Sequence, residues 1–249
     1  DLNADYIIAC FDTKSPTFRH EMYKEYKSQR QATPSGVVSQ IPVAKEVLEA
    51  LGVPVFFKEG VEADDLIATI CHKISKEEPM DMFIVSGDLD NLQLVDEHVK
   101  VYTLGKGIKD TVIYDINKVR ERFGVEPGQM VDFRALTGDP SDNIPGVEGI
   151  GKKTAAEIIQ KYGSIKNLYE ELATDTAVLK PKVKESLKKN KNSAIMSFKL
   201  SQMKKDVDIN IDIKKCEFGN FEQRRAEEVF KKLEFSSLIS KLSSLKKHV

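Results

Sequence analysis

With 249 residues, 41% of them hydrophobic, the chain can bury a large core in one domain, or in a large domain carrying a smaller one. Charged residues make up 31% but nearly balance, and a net charge of −1 argues for neither a nucleic-acid nor a membrane partner. No apolar run approaches the roughly 18 residues of a membrane span, no signal peptide is evident, and Cys10, Cys71 and Cys216 lie far apart without a CxxC pair, as free thiols in a reducing cytosol do.

The chain opens Asp1-Leu2-Asn3-Ala4-Asp5 without an initiator Met and reads as the remainder of something longer. Tyr6–Phe11 is a continuous apolar run, the pattern of a strand buried on both faces. Phe18 to Arg30 is basic and aromatic, and Ala32-Thr33-Pro34-Ser35-Gly36 breaks it. Ile41, Ala44, Val47, Leu48 and Leu51 form a helical stripe, Val53–Phe57 a strand, and Leu66, Ile67, Ile70, Cys71 and Ile74 the core face of the next helix. Met82–Val85 reads as another buried strand, followed by a short helix near Asn91–Val95 and strands at Val99–Tyr102 and Thr111–Tyr114 around a Gly105-Lys106-Gly107 loop. Strands alternating with helices predict an α/β domain with a largely parallel sheet. Beyond about Val119 the chain turns helical, with a helix from Lys152 to Tyr162 closed by Gly163 and another reaching Leu172. Lys180–Lys205 carries nine lysines against one acid, Glu185. Val207–Asp212 alternates like a half-buried strand or an extended arm, Arg224–Leu233 is a last clear helix, and the tail from Ser236 is weakly amphipathic.

Acids gather at element ends. Asp12 ends the first strand, Glu62, Asp64 and Asp65 open a helix, Asp88 and Asp90 follow the Met82–Val85 strand, and Asp139 and Asp142 lie in Thr137-Gly138-Asp139-Pro140-Ser141-Asp142-Asn143. Taken singly, each has an ordinary role as a turn or cap residue. Taken together they form an all-oxygen donor set, which suits Mg²⁺ or Mn²⁺ rather than zinc, and their number would serve two ions about 3.5–4 Å apart. Ligands of parallel sheets bind beyond the carboxyl ends of the strands, where Asp12, Asp88 and Asp90 fall.

Ile144-Pro145-Gly146-Val147-Glu148-Gly149-Ile150-Gly151-Lys152-Lys153 is a Gly-hydrophobic-Gly turn opening a helix. Its exposed N–H groups and paired lysines match a helix-hairpin-helix that reads the DNA backbone without regard to sequence. A Walker A loop is discounted because Lys153 stands where Ser or Thr belongs. The Phe18–Arg30 segment interleaves Arg19, Tyr23, Tyr26, Lys27 and Arg30, which would cluster on a helical surface. It is either a solvated helix with its tyrosines inward or, beside a metal site, a clamp on a reacting phosphate.

These segments together resemble the 5′-nuclease family, which includes flap endonucleases, phage 5′–3′ exonucleases and the N-terminal domain of bacterial DNA polymerase I. The resemblance is closest to the polymerase I domain and covers essentially the whole chain. It rests on Phe11-Asp12, Phe18-Arg19-His20-Glu21, Tyr26-Lys27-Ser28-Gln29-Arg30, Glu62-Ala63-Asp64-Asp65, Gly87-Asp88-Leu89-Asp90 and Leu136–Gly146. It implies a PIN-like, largely parallel twisted sheet with flanking helices over 1–137, an arch at about 15–36, and a helix-hairpin-helix and C-terminal helical region over 138–249. It implies metal-site acids at Asp12, Glu62, Asp64, Asp65, Asp88, Asp90, Asp139 and Asp142. Lys27 would contact the scissile phosphate, supported by Arg19 and Arg30, with Tyr26 as a stacking platform. Gly146, Gly149, Gly151, Lys152 and Lys153 would bind duplex phosphates, with K⁺ as a further ion at the hairpin.

The implied activity is that of a Mg²⁺- or Mn²⁺-dependent, structure-specific 5′ nuclease. It would hydrolyse DNA at a 5′ flap, nick or RNA primer end to a 5′-phosphate and 3′-hydroxyl, in repair and primer removal. The implied setting is a monomer in the bacterial cytoplasm, at the nucleoid, without a membrane partner and with a polymerase attached in the native polypeptide. Family members begin with a further strand and metal-site aspartate, so this chain is expected to lack a central strand and one acid. Three rivals stay open: a non-catalytic DNA-binding fragment with an incomplete metal site, a toprim-like topoisomerase or primase suggested by Asp88-Leu89-Asp90, and a PIN-type ribonuclease, which would normally lack the long helical region after Gly138.

Overall fold

The computed structural model describes residues 2–77, 80–104 and 111–245; the expected Gly105-Lys106-Gly107 loop lies outside them. The elements run β1 (Ala9–Cys10), α1 (Phe18–Met22), α2 (Ser35–Ala50), β2 (Val55–Phe56), α3 (Ala63–Glu77), β3 (Met82–Val85), β4 (Val99–Leu104), β5 (Thr111–Tyr114), α4 (Ile116–Phe123), α5 (Met130–Thr137), α6 (Lys152–Tyr162), α7 (Ile165–Ala173), α8 (Pro181–Lys189), α9 (Lys191–Ser201), α10 (Gln223–Lys232), α11 (Ser236–Ile239) and α12 (Leu242–Leu245). They gather into two units: described residues of 2–15, 31–66 and 207–245, and those of 16–30 and 67–206. The sequence-based boundary at residue 137 falls within the second unit.

In the first unit β1 and β2 pair in parallel, Ala9 opposite Val55 and Cys10 opposite Phe56. Both ladders are shorter than the apolar runs that announced them. Tyr6 instead bridges antiparallel to Glu217, and Ile7 N–H donates to Cys216 O (3.0 Å). Val61, Leu66 and Val207 bury a small core with Cys10, Phe56 and Ile209, so the Val207–Asp212 segment packs as an extended arm rather than as a strand. Phe221, Ala226, Phe230 and Leu242 form a second core against Val47 and Leu51, the helical stripe of α2.

In the second unit β3 and β4 are parallel, whereas β5 returns antiparallel to β4. The expectation of a buried β3 needs correction. Ile84, Val99, Val101 and Tyr114 point into the core, but Phe83 and Val85 on the other face of the strand are exposed, Val85 to 60%. An unbroken apolar run does not reveal which face is covered.

The core of this unit is built on α5, whose Phe133, Ala135 and Leu136 are at most 1% exposed. α5 packs on both α9 and α6. Helix α6 spans the residues its pattern marked, and Gly163 closes it with φ +79°. Asp132 of α5 reaches α7, where its Oδ1 accepts from Ile165 N–H (2.8 Å) and caps the helix.

One backbone contact fixes the loop between α5 and the hairpin. Gly138 (φ +66°) and Gly146 (φ +64°) lie so close that a Cβ on Gly146 would sit 2.3 Å from Gly138 N. Between them Asp139 N–H donates to Ile144 O (2.9 Å) and Ile144 N–H to Asp139 O (2.8 Å). Val147 N–H then donates to Leu136 O (2.9 Å), returning the chain to α5. No side chain fits at either glycine, since the obstacle is backbone.

Gly146→Ala is therefore expected to cost at least about 3 kcal/mol of stability. Gly149→Ala, where nothing lies within 4 Å, should cost about 1 kcal/mol for its positive φ alone. Urea denaturation of the two variants side by side checks the difference.

Candidate active site

The eight acids fall into two groups, one in each unit. In the first unit Asp12, at the end of β1, accepts Ala63 N–H on Oδ1 (2.8 Å), and buried Asp65 accepts Glu62 N–H on Oδ2 (3.1 Å). Both cap the start of α3, where unpaired N–H groups and the helix dipole favour negative charge. Glu62 and Asp64 beside them are half-buried.

In the second unit Asp88 ends the β3 turn and caps the following 3₁₀ helix (Leu89–Leu94), accepting Asp90 N–H on Oδ1 (2.9 Å). Asp139 accepts both Ser141 N–H (2.8 Å) and Ser141 Oγ–H (2.7 Å) on Oδ1. Asp142, 8% exposed at its side chain, pairs with Arg30 and lies 3.7 Å from Lys27 Nζ, while Tyr26 O–H donates to its Oδ2 (3.2 Å). The link between Asp90 and Asp139 is Arg134, with Nη2 2.9 Å from Asp90 Oδ1 and Nη1 3.1 Å from Asp139 Oδ2. Arg134 was not marked by its sequence context, although an arginine inside the apolar run of α5 is the kind of buried charge that needs partners.

These charges are under-compensated. Burial pushes the Asp90 carboxyl up to about 7; Arg134 opposes that shift, and Asp88, Asp139 and Asp142 add to it by repulsion. Asp90 Oδ1 is sealed from solvent and off the hydrogen-bonding line of Arg134, whose own buried Nε has no acceptor among the described residues. Among the described residues no three acids, histidines or cysteines converge as a ready metal cage. The donors nevertheless fit a hard divalent cation: they are all oxygen, mutually repelling, and include a buried oxygen lacking a well-aligned partner.

The basic segment differs from its expected form. Helix α1 stops at Met22, and Tyr23 to Arg30 follows as turns, with Lys27 at φ +54°. Rather than presenting a free helical surface, it docks on the acidic loop. Lys27 N–H donates to Asp142 O (2.9 Å), and Asn143 Nδ2 donates to Glu25 O (2.8 Å). Lys27 and Arg30 thus stand beside an acid. Arg19 does not: it is 3% exposed, and its Nε and Nη2 donate to Leu200 O (2.8 Å) and Gln202 O (3.0 Å), which makes it an anchor of α1. Tyr26, expected as a stacking platform, is also 3% exposed and packs against Ile144 and Leu200. A tyrosine with its ring inside and its hydroxyl on Asp142 satisfies both halves of its chemistry within the fold.

In the hairpin Gly149, Gly151, Lys152 and Lys153 are exposed, and no side chain caps the N-terminus of α6. Gly146, assigned to the same surface, is buried. Its N–H donates to Ser197 Oγ (2.9 Å) and its carbonyl accepts from Ser193 Oγ (2.6 Å), so it holds the hairpin on α9. Lys152 and Gly151 share an open cleft of about 720 Å³ with Gly87, Asp88, Arg134 and Asp139. One cleft therefore joins carboxylates to a helix N-terminus suited to phosphate. No cysteine is among the described residues that line it, and burial pushes the Cys71 thiol up to about 12.

Two family models match consecutive parts of the chain: the 5′-3′ exonuclease N-terminal resolvase-like domain over residues 1–124, and the 5′-3′ exonuclease C-terminal SAM fold over 125–224. The chain belongs to the 5′–3′ exonuclease family. The class of chemistry named for that family is exonucleolytic phosphodiester hydrolysis. It is 36% identical over 96% of its length to DNA polymerase I of Bacillus caldotenax, and 37% identical over 98% to the thermostable DNA polymerase I of Thermus thermophilus. It spans only 27% and 28% of those two relatives. The fold is shared with T5 5′-exonuclease carrying divalent metal ions (zinc), with TM-score 0.67 and 20% identity over 98% of this chain and 85% of that one. It is shared too with the catalytic core of Rad2 in complex with DNA substrate, with TM-score 0.60 and 19% identity over 96% of this chain and 79% of that one.

The raised Asp90 carboxyl has a consequence for stability without metal. Between about pH 4 and 7 folded Asp90 keeps a proton that the unfolded chain has released. Unfolding then releases a proton, so stability falls as pH rises through this window, by up to about 1.4 kcal/mol per pH unit. Asp90→Asn should flatten that part of the profile, as read from urea titrations in EDTA across pH 4 to 7.

Proposed function

We propose that the chain is a divalent-metal-dependent, structure-specific 5′ nuclease acting on DNA with a 5′ flap, nick or primer end. The observation that carries this reading is the single cleft lined by Asp88, Asp139, Arg134, Gly151 and Lys152. Acids alone would suit many hydrolases, and a helix N-terminus alone would suit any anion. Together they suit a polyanion whose phosphodiester is held at one end and cut at the other.

Asp88, Asp90, Asp139 and Asp142 would hold divalent ions in the second unit, and Asp12, Glu62, Asp64 and Asp65 are the metal-site candidates of the first unit taken by itself. Mg²⁺ or Mn²⁺ is the choice that an oxygen-only donor set supports. When bound, such ions supply Lewis-acid stabilisation of the attacking and leaving oxygens and favour ionisation of water. The chain's own residues do the rest. Lys27 and Arg30, now on Asp142, are within reach to turn to a phosphate oxygen. Gly149, Gly151, Lys152 and Lys153 would bind duplex phosphates and fix the register of the strand to be cut, with K⁺ as a candidate ion at the hairpin. The products would be a 5′-phosphate and a 3′-hydroxyl.

Solved structures of the same fold support a DNA partner: one is of the T5 flap endonuclease with DNA and metal ions, another of the catalytic core of Rad2 with DNA substrate. The DNA polymerase I relatives support a polymerase in the same native polypeptide; a role in repair and primer removal in the bacterial cytoplasm is part of the same proposal. The chain is proposed to act as a monomer, with the acids of its N-terminal half as the catalytic part and the hairpin and later helices as the DNA-holding part. A second reading, a DNA-binding fragment without catalysis, is favoured by the ion pairs that already occupy Asp90, Asp139 and Asp142 in part.

Cleavage of a labelled 5′ flap decides between them. The native chain should cut in Mg²⁺ and not in EDTA, and Asp88→Asn should lose at least about 100-fold in rate while binding the flap as before. Cleavage by neither protein in Mg²⁺ or Mn²⁺, with binding intact, would leave the non-catalytic reading. The double variant Lys152→Glu, Lys153→Glu should weaken duplex binding and lower its salt dependence by about two phosphate contacts.

A further inference from the structure

We infer that Arg134 is a positioning residue: a fixed internal counter-cation that holds Asp90 and Asp139 together when no ion is bound, and that a divalent ion must displace. This rests on the metal reading above and deepens it. The two carboxylates come from separate elements, the 3₁₀ helix after β3 and the loop after α5. Both are largely buried, with side chains 17% and 12% exposed, so without a cation their repulsion would drive them apart. Arg134 spans them with its two terminal nitrogens, at 2.9 Å and 3.1 Å. Arginine suits that place because its planar fork reaches two acceptors and its charge cannot be lost at any working pH.

Two further features make the pairing a stand-in rather than a finished contact. Asp90 Oδ1, although close to Arg134, is not aligned for a hydrogen bond, and Arg134 Nε is buried without an acceptor among the described residues. A brace selected only for stability would be expected to close both. Arg134 is also held differently from the other cations of the cluster. Lys27 and Arg30 rise from turns and meet Asp142, Arg30 with nearly half its side chain exposed, whereas Arg134 grows from the buried helix α5 between Phe133 and Ala135. Its backbone is fixed in α5, so even when an ion takes its place on the two carboxylates its positive charge stays nearby and opposes that ion.

The test is Mn²⁺ binding by calorimetry, together with thermal melting with and without Mn²⁺, for the native chain, Arg134→Gln and Arg134→Lys. Arg134→Gln should melt lower than the native chain in EDTA, yet bind Mn²⁺ about tenfold more tightly and gain more on adding it. Arg134→Lys, which keeps the charge, should bind Mn²⁺ within about threefold of the native chain. A purely structural brace would lower both melting points equally and leave Mn²⁺ affinity unchanged or weaker, and that result overturns the inference. If Arg134→Gln does not fold, the native protein decides. The ¹⁵N signals of the Arg134 guanidinium should lose their pairing on Mg²⁺ saturation, and signals unmoved by bound Mg²⁺ overturn the proposal. Absence of ion binding by every folded form overturns the metal reading and this inference with it, whereas ion binding that Arg134→Gln leaves unchanged overturns the inference alone.

Discussion

The approach of Gly138 to Gly146 is the constraint on which the second unit's site depends. Backbone meets backbone there with no room for a side chain on either strand of the loop. On one side of the pinch the loop carries Asp139 and Asp142; on the other it opens into the hairpin and α6. The carboxylates and the uncapped N-terminus of α6 are therefore tied to the same short piece of chain, which α5 and α9 hold from either side. A site built on such a pinch keeps its two functions in fixed register, because neither can shift without reopening a contact made of main chain.

Charge sets the second condition. Three acids with largely buried side chains, Asp90, Asp139 and Asp142, beside the exposed Asp88, cannot all be ionised in a low-dielectric setting without help. Three cations supply it, in different ways. Arg134 is rigid and bridges two acids, while Lys27 and Arg30 come from turns that dock on the acidic loop. This division separates charge needed to keep the metal-free fold together from charge that can be handed to a phosphate. It also explains why Asp142 is the best satisfied of the group and Asp90 the least, with its carboxyl held near 7 by burial and by its neighbours.

How much of this was legible in the sequence varied with the kind of signal. Periodic helices with strong punctuation were: α6 begins at Lys152 and ends at Tyr162 because a glycine turn precedes it and Gly163 follows. The positions of the acids at element ends were also readable, but capping alone accounts for several of them, since Asp12, Asp65 and Asp88 each accept an N–H at a helix start. Long-range partners were not. Nothing local to Arg19 tells that its guanidinium will meet carbonyls 181 residues away, or that Tyr26 will turn its ring to Ile144 and its hydroxyl to Asp142. Alternating basic and aromatic residues fit a nucleic-acid surface and a buried anchor equally well, and only packing decides. Gly146 failed for a related reason: a glycine required by a close backbone approach and a glycine that bares an N–H to a ligand look the same in one sequence. Phe83 and Val85 show the limit for strands, because an unbroken apolar run carries no mark of the uncovered face.

The nearly neutral composition conceals a separation of charge that has direct physical meaning. The net charge of −1 comes from 39 acids against 38 lysines and arginines. In the second unit the acids of the site line one part of the cleft, and Gly151 and Lys152 line another. Helix α8 lies against the hairpin tip, with Lys189 Nζ 3.8 Å from Glu148 Oε2, and Lys188, Lys189 and Lys191 are exposed along it and the start of α9. Within a Debye length of about 8 Å at physiological salt, each region is felt largely on its own. A polyanion approaching the lysines meets attraction, and the same polyanion meets repulsion at the carboxylates until cations fill them. The two regions thus present opposite local fields, which is why the bulk charge of the chain, taken first, argued for no particular partner.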